Sequence, residues 1–138
     1  MDPQDVRYVI RPEEVQGGAP MERRPGVKDL KLIYPENGVP TQTLIMGIVE
    51  VAPGAHSPLH RHNCEEVYYV LQGQGYCEIG GQRYDIGPGY AVYNPPRVPH
   101  RAFNTGREPL RLLVVGGIMF VGLLPEWPTP SPYELLEG

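Results

Sequence analysis

Two histidines one residue apart, His60 and His62, are the clearest sign of chemistry in this chain. They lie in an extended stretch. Because successive side chains of a strand alternate between its faces, both imidazoles should point to the same side. Glu66 begins the next apolar run, and His100 begins a run much further along the chain. A β-barrel could bring these four side chains to one point, where they would bind one metal ion.

Three imidazoles and one carboxylate form a mixed nitrogen and oxygen donor set. Such a set suits one divalent transition metal, namely Fe, Mn, Zn, Ni or Cu, and suits Ca²⁺ or Mg²⁺ poorly. On an octahedral ion, four protein ligands leave two coordination positions open, as metal-ion catalysis requires. The sequence therefore predicts a metal centre formed by His60, His62, Glu66 and His100.

Two further residues are candidates for acid–base catalysis beside the metal. His56 lies between Gly54 and Pro58 and could act as a proton shuttle, although a loop histidine without a role is the simpler interpretation. Tyr68 shares strand parity with Glu66, so its phenol should face the same pocket and could act as a general base. We therefore predict His56 and Tyr68 as the candidate catalytic residues.

Three polar residues near the predicted ligands each have two possible roles. Arg97 could bind a substrate carboxylate through its guanidinium group, or it could be a surface residue of a Pro-rich turn. Asn104 could support His100 through a hydrogen bond, or it could simply precede a turn. Cys64 lies between two ligands and could contribute a thiolate, but the bend of the chain there should direct it away from the metal.

Short apolar runs separated by Gly and Pro, at intervals of about ten residues, predict an antiparallel sandwich or barrel. Gly80-Gly81 suits a tight hairpin, and Pro53-Gly54 and Pro88-Gly89 suit type II turns. Little helix is expected apart from one turn at Pro132 to Leu136. The predicted strands are Asp29 to Tyr34, Thr41 to Ala52, Pro58 to His62, Glu66 to Gln72, Gly75 to Ile79, Gln82 to Ile86, Ala91 to Asn94, His100 to Asn104 and Leu110 to Phe120.

Composition divides the chain into three parts. Residues 1–27 are predicted to be an irregular arm with one short strand, Val6 to Ile10. Residues 28–121 should form the β-barrel, and residues 122–138 should form an extended Pro-rich tail. The tail could lie against the barrel or a second subunit, whereas either end could instead be a loosely held terminus.

Length and charge limit the classes of partner. A chain of 138 residues suits one domain, and its net charge of -4 comes without a basic cluster, so nucleic acid is not an expected partner. The first 20 residues hold acidic side chains and no continuous apolar run. This predicts neither a secretory signal nor a membrane span, and therefore a cytoplasmic protein. In that compartment Cys64 and Cys77 should be free thiols.

The spacing of these residues resembles the two motifs of the cupin superfamily, over about residues 41–115. The first motif is Gly-x5-His-x-His-x3,4-Glu-x6-Gly, and the second is Gly-x5-Pro-x-Gly-x2-His-x3-Asn. Two turn positions depart from the second motif, because Arg97 replaces a Gly and Tyr90 stands where Asp is common; neither is a ligand. The matching residues are Gly54, His60, His62, Glu66 and Gly73, then Gly89, Pro95, His100 and Asn104.

The resemblance implies a particular architecture. It implies an all-β, jelly-roll-like antiparallel β-barrel, also called a double-stranded β-helix, with a metal at its mouth and a small-molecule ligand or substrate. It also implies frequent homodimers. Outward-facing Tyr69 and Leu71 agree with that, since an apolar outer face favours a covering strand or a partner subunit.

Several functions fit such a site. We favour a metal-dependent enzyme that acts on a small organic molecule, most readily a dioxygenase, because a three-histidine shell with one carboxylate supports redox-active Fe or Cu. The same metal could instead serve a redox-neutral lyase, decarboxylase or isomerase, with His56 or Tyr68 as the base. A non-catalytic protein that binds a small ligand is a further alternative. A purely structural or storage role explains the four ligands least well.

Overall fold

Alternating apolar and polar residues give this chain a fold that is almost entirely β-strand. A computed structural model describes residues 6–15, 18, 20–117 and 134–137. Two 3₁₀ turns lie wholly within these ranges, Pro12–Glu14 and Pro35–Asn37. The strands are β1 (Met21–Arg24), β2 (Val27–Ile33), β3 (Leu44–Val51), β4 (His60–Arg61), β5 (Glu66–Gln72), β6 (Gly75–Ile79), β7 (Gln82–Ile86), β8 (Ala91–Asn94), β9 (His100–Asn104), β10 (Leu110–Gly117) and β11 (Glu134–Leu135).

The strands form two antiparallel sheets. The first sheet has the order β1-β2-β3-β10-β5-β8, and the second has the order β11-β4-β9-β6-β7. β10 lies between β3 and β5, so strands that are distant in sequence become neighbours. The buried core draws residues from both sheets. This arrangement confirms the all-β, jelly-roll-like fold that the sequence and its resemblance predicted.

Inward and outward side chains alternate along the central strands, as the sequence pattern predicted. In β5, Tyr68 and Val70 are buried together with Glu66, whereas Tyr69 and Leu71 are exposed. The same alternation runs along β9 and β10. Each fully buried aliphatic or aromatic side chain of this core contributes about 1.5–3 kcal/mol of hydrophobic stabilisation. The apolar core therefore holds the two sheets together beneath the polar cluster described below.

Most strand boundaries agree with the prediction. The strands from β5 to β9 coincide with the predicted ranges residue by residue. β3 is shorter than predicted, and β4 contains only two residues. The predicted strand Leu110 to Phe120 is observed over Leu110–Gly117, and its last three residues lie outside the described residues.

Two predictions about the ends of the chain are wrong. Val6 to Ile10 is not a strand: no strand within the described ranges pairs with it, and Tyr8 and Val9 are largely exposed. Instead β1, which we had placed in the irregular arm, forms a hairpin with β2. The predicted helical turn near Pro132 is also absent from its described part, where β11 pairs with β4. In each case an available strand edge decided the structure, since a strand needs a hydrogen-bonding partner.

A group of charged residues on the inner side of β2 was not predicted. Asp29 and Lys31 are buried, Arg23 donates a 2.7 Å hydrogen bond to Asp29, and the Lys31 ammonium lies 3.8 Å from a Glu36 carboxylate oxygen. Burial lowers the pKa of Lys31 to about 8, although Glu36 and Asp29 partly offset this effect. These ion pairs connect β1 and the turn after β2 to β2 itself.

The outer face of the first sheet remains apolar in the single chain. Val67, Tyr69, Leu71 and Tyr93 each expose more than two fifths of their surface. Exposed apolar faces of this kind are typical of protein interfaces. The homodimer therefore stays a prediction with a specific surface to test. Among the described residues, no helix is long and apolar enough to cross a membrane.

The turns use positive φ angles at the predicted glycines, with one exception. Gly80 and Gly81 have φ of 60° and 82° in the tight hairpin between β6 and β7. Arg97 has φ of 64° and is the one non-glycine residue of the described chain in this region. Its backbone N–H donates a 2.7 Å hydrogen bond to the carbonyl of His62. Arg97 thus has a glycine-like conformation, and its hydrogen bond to His62 holds the loop that precedes His100.

Replacing Arg97 by Gly should stabilise the protein by about 1 kcal/mol. A left-handed conformation costs a non-glycine residue roughly 1–2 kcal/mol, and the greater freedom of Gly in the unfolded chain offsets part of the gain. Urea unfolding of Arg97→Gly measures the change. Arg107→Gly is the matched control because Arg107 is exposed and lacks a positive φ; it should be neutral or destabilising. Equal effects of the two substitutions would contradict strain at Arg97.

Candidate metal centre

The pairing of β4 with β9 brings the predicted histidines together. His60 and His100 are direct cross-strand partners, and their ring centroids are 4.3 Å apart. His62 follows β4 and lies on the same side, with its ring centroid 5.0 Å from that of His100. Glu66 begins β5, so the carboxylate enters the cluster from the opposite sheet. The cluster therefore lies between the two sheets.

The four side chains converge on one buried point. One donor atom from each of the four lies within 4.8 Å of the others, and no residue of the set is more than 5% exposed. Glu66 Oε1 is 3.2 Å from His100 Nε2 and 3.7 Å from His62 Nε2. With metal bonds of about 2.1 Å, ligand atoms on opposite sides of an ion are about 4.2 Å apart. A small contraction would therefore let all four bind one ion.

Backbone carbonyls orient each imidazole for metal binding. The Nδ1 atoms of His60, His62 and His100 lie 2.8, 2.9 and 3.0 Å from carbonyl oxygens. A carbonyl only accepts hydrogen bonds, so each Nδ1 carries the proton and donates it. Each Nε2 therefore points into the cluster, where a metal ion would displace the proton that His100 donates to Glu66. Coordination through Nε2, with Nδ1–H bonded to a carbonyl, is a usual arrangement of metal-bound histidines. The accepting carbonyls belong to Pro58, Cys64 and Val98.

The electrostatics of the cluster also favour a cation. Burial lowers the pKa of His60 to about 3, with His100 adding to the effect, so this imidazole is neutral. Burial raises the pKa of Glu66, but the hydrogen bond from His100 and the nearby His62 ring outweigh it and hold that pKa below its usual range. Burial lowers the pKa of His62, but contacts with Cys64 and Glu66 raise it to about 10. The buried carboxylate therefore attracts positive charge to this point.

The two predicted catalytic residues lie in different places. Tyr68 is buried on the inner face of β5, and its ring centroid is 6.4 Å from that of His100. His56 stacks on Phe103, with ring centroids 4.8 Å apart. Phe103 lies on the face of β9 opposite to His100, so the His56 ring is on the outer side of the sheet. The geometry thus places Tyr68, and not His56, beside the cluster.

Arg97 and Asn104, each of which had two possible roles, lie in or next to turns of the structure. Arg97 is exposed in its turn. Asn104 donates from Nδ2 to the carbonyls of Val51 and Glu108 and accepts from the N–H of Gly106, so it holds the turn after β9. It is therefore a turn residue and does not support His100.

Both cysteines are free thiols, as predicted. The Sγ of Cys64 lies 3.6 Å from His62 Nδ1, on the side of the ring away from Nε2, and it is not part of the cluster. Burial raises the pKa of Cys77 to about 12.

Sequence reasoning missed one polar residue next to the cluster. Asn94 ends β8, is completely buried, and pairs across the sheet with Glu66. Its strand parity with Val92 was visible in the sequence and indicates an inward side chain. Its position opposite Glu66 required the strand pairing.

The family of the chain follows from a comparison with known proteins. Residues 47–116, half of the chain, match the family model described as the cupin domain. The chain belongs to the cupin family. Its four-residue cluster fits one divalent transition metal, because each donor atom is of the right type and is directed to a common point.

Individual relatives of this cupin share only part of its length. It is 37% identical over 73 residues to an uncharacterized protein of Methanocaldococcus jannaschii, covering 52% of this chain and 57% of the relative. It is 37% identical over 75 residues to auxin-binding protein T85 of Nicotiana tabacum, covering 46% and 40%. Gentisate 1,2 dioxygenase 1 of Aquipseudomonas alcaligenes is 28% identical over 103 residues, covering 74% and 28%. The chain thus spans about half or less of these curated relatives.

A solved structure covers more of the chain. The polyketide cyclase RemF from Streptomyces resistomycificus superposes with a TM-score of 0.66 and 28% sequence identity. The match covers 82% of this chain and 80% of RemF. The likeness therefore extends beyond the motif region to most of the barrel.

Replacing His62 by Ala should remove stoichiometric metal. The substitution deletes one of four donors, and metal analysis after dialysis against a known ion gives the content directly. Bound metal should also stabilise the wild-type protein by about 2.7 kcal/mol at a free concentration of 100 Kd, and this gain should be lost in the variant. His56→Ala is the matched control, because it removes the one histidine outside the cluster. Full metal content in His62→Ala would refute the assignment.

Proposed function

We propose that this cupin is a metal-dependent enzyme that acts on a small organic molecule, with a dioxygenase reaction as the leading candidate. The observation that carries the proposal is the buried set of three Nε2 atoms and one carboxylate directed to one point, with each Nδ1 hydrogen-bonded to a carbonyl behind its ring. Four protein ligands leave two positions on an octahedral ion for substrate or dioxygen. A purely structural metal site would usually be closed by its protein ligands.

The residues of the chain have separable roles in this proposal. His60, His62, His100 and Glu66 would hold the ion, and the carbonyls behind the three imidazoles would keep them oriented. When bound, a redox-active ion such as Fe would supply the electron-transfer chemistry and the open coordination positions. The similarity to gentisate 1,2 dioxygenase supports this reading, although the match covers only 28% of that enzyme.

A redox-neutral lyase or isomerase is the second candidate, and the position of Tyr68 favours it. The phenol is buried on the same inner face as Glu66 and lies near His100, where it could take a proton from a substrate. Similarity to a polyketide cyclase agrees with chemistry of this kind. The similarity to auxin-binding proteins instead agrees with ligand binding without turnover.

Oxygen consumption should separate these candidates. We expect protein loaded with Fe(II) to consume oxygen with at least one member of a panel of catechols, 1,3-diketones and hydroxy acids, and Zn-loaded protein to consume none. An oxygen electrode follows the reaction, and His62→Ala loaded in the same way is the control. Stoichiometric Fe without any oxygen uptake would contradict the dioxygenase proposal and leave the redox-neutral reaction as the better one.

Replacing Tyr68 by Phe tests the role of the phenol. If Tyr68 transfers a proton, turnover of any substrate found in the panel should fall by about 10²–10⁴-fold, the usual contribution of general acid–base catalysis. Metal content should stay at the wild-type level, because Tyr68 is not in the donor set. Tyr76→Phe is a suitable control, since Tyr76 stacks on Phe103 on the outer side of the second sheet. Unchanged turnover in Tyr68→Phe would exclude it as the base.

A further inference from the structure

Asn94 is a buried polar residue that the metal centre does not explain. Its exposed fraction is 0%, and neither its Oδ1 nor its Nδ2 has a hydrogen-bond partner in the described structure. A buried amide without partners is unfavourable, because its hydrogen bonds to water are lost on folding and are not replaced. A Leu of similar size would avoid this loss. The amide therefore lowers the stability of the free protein.

A second buried asparagine shows what a structural amide looks like in the same fold. Asn104 is also on an inner face, yet its Nδ2 donates to two carbonyl oxygens and its Oδ1 accepts a backbone N–H. Those bonds connect the end of β9 to β3 and to the following loop. Asn94 makes no comparable bonds, so its amide does not hold the fold together.

The strand pairing directs the Asn94 side chain to the metal centre. Asn94 is the cross-strand partner of Glu66, and directly paired residues have Cβ atoms about 4.5–5.5 Å apart on the same face of the sheet. Both side chains are buried, whereas the preceding Tyr93 faces outward and donates to Glu65. The unsatisfied amide is therefore beside the carboxylate of the cluster.

We propose that the Asn94 amide hydrogen-bonds to the ligand of the metal centre, which would bind the metal through two neighbouring oxygens. This inference deepens the proposed function and rests on a ligand binding at that metal. An amide both donates and accepts, so its Nδ2 would bind a carbonyl or carboxylate oxygen and its Oδ1 would bind a hydroxyl. Two open coordination positions suit the same pair of neighbouring oxygens. The ligand class is a compound with a hydroxyl group next to a carbonyl group.

The first test measures stability in the metal-free protein. Asn94→Leu should leave the urea midpoint unchanged or raise it, because it replaces an unsatisfied amide with an apolar group. Asn104→Leu, the matched control, should lower the midpoint clearly, since it deletes three hydrogen bonds of a buried amide. Equal losses in the two variants would show that Asn94 is structural and would overturn the proposal.

The second test measures ligand binding to Zn-loaded protein, which needs no turnover. The probe is tropolone, a chelator with a hydroxyl group next to a carbonyl group, and the reference probe is imidazole, which binds a metal through one atom. Asn94→Leu should weaken tropolone binding by about tenfold or more, the loss expected from hydrogen bonds left unmade. Imidazole binding should change less than about twofold. Asn94→Ala provides a second variant with the same expectation.

The outcomes are distinguishable from failure of the proposed function. Unchanged tropolone affinity in both Asn94 variants would overturn the role of the amide while leaving the metal centre intact. Failure of wild-type protein to bind Zn would instead refute the metal-dependent function. The unfolding comparison would then still decide whether Asn94 is a structural residue, because it is made without metal.

Discussion

The buried carboxylate of Glu66 is the constraint on which the rest of this site depends. A carboxylate placed between two sheets, away from water, requires positive charge or hydrogen-bond donors close by. Three imidazoles surround it, and these rings in turn need acceptors for their Nδ1 protons. The loops around β4 and before β9 supply those acceptors as backbone carbonyls. The conformation of these loops therefore determines whether the three imidazoles can surround Glu66.

Each of the two sheets contributes different residues to the site. The second sheet contributes the histidines, through the pairing of β4 with β9, and the first sheet contributes Glu66, Tyr68 and Asn94. The apolar core lies between the same two sheets and holds them at a constant separation. A metal bound at the cluster would join the sheets a second time. Binding and folding should therefore be linked at this site.

Several residues lower stability in ways that the apolar core must offset. Arg97 has a positive φ, and the Asn94 amide is buried without hydrogen-bond partners. Burial also disfavours the charged form of Lys31 and so lowers its pKa. Strained or unsatisfied groups tend to gather at functional sites. Arg97 and Asn94 flank the loop that leads to His100, which fits that tendency. Lys31 belongs to an ion-pair group on β2, where a structural role is sufficient.

The sequence alone determined the strand pattern, the inward parity of Tyr68 and the donor set, because alternation and ligand spacing are local properties of the chain. Its failures were at Val6 to Ile10 and near Pro132, where pairing with an available edge decides whether a segment becomes a strand. Tertiary structure alone decided that His56 stacks on Phe103 outside the barrel and that Asn94 lies opposite Glu66. Such facts depend on which strands become neighbours, and neighbours are set by packing across the whole chain.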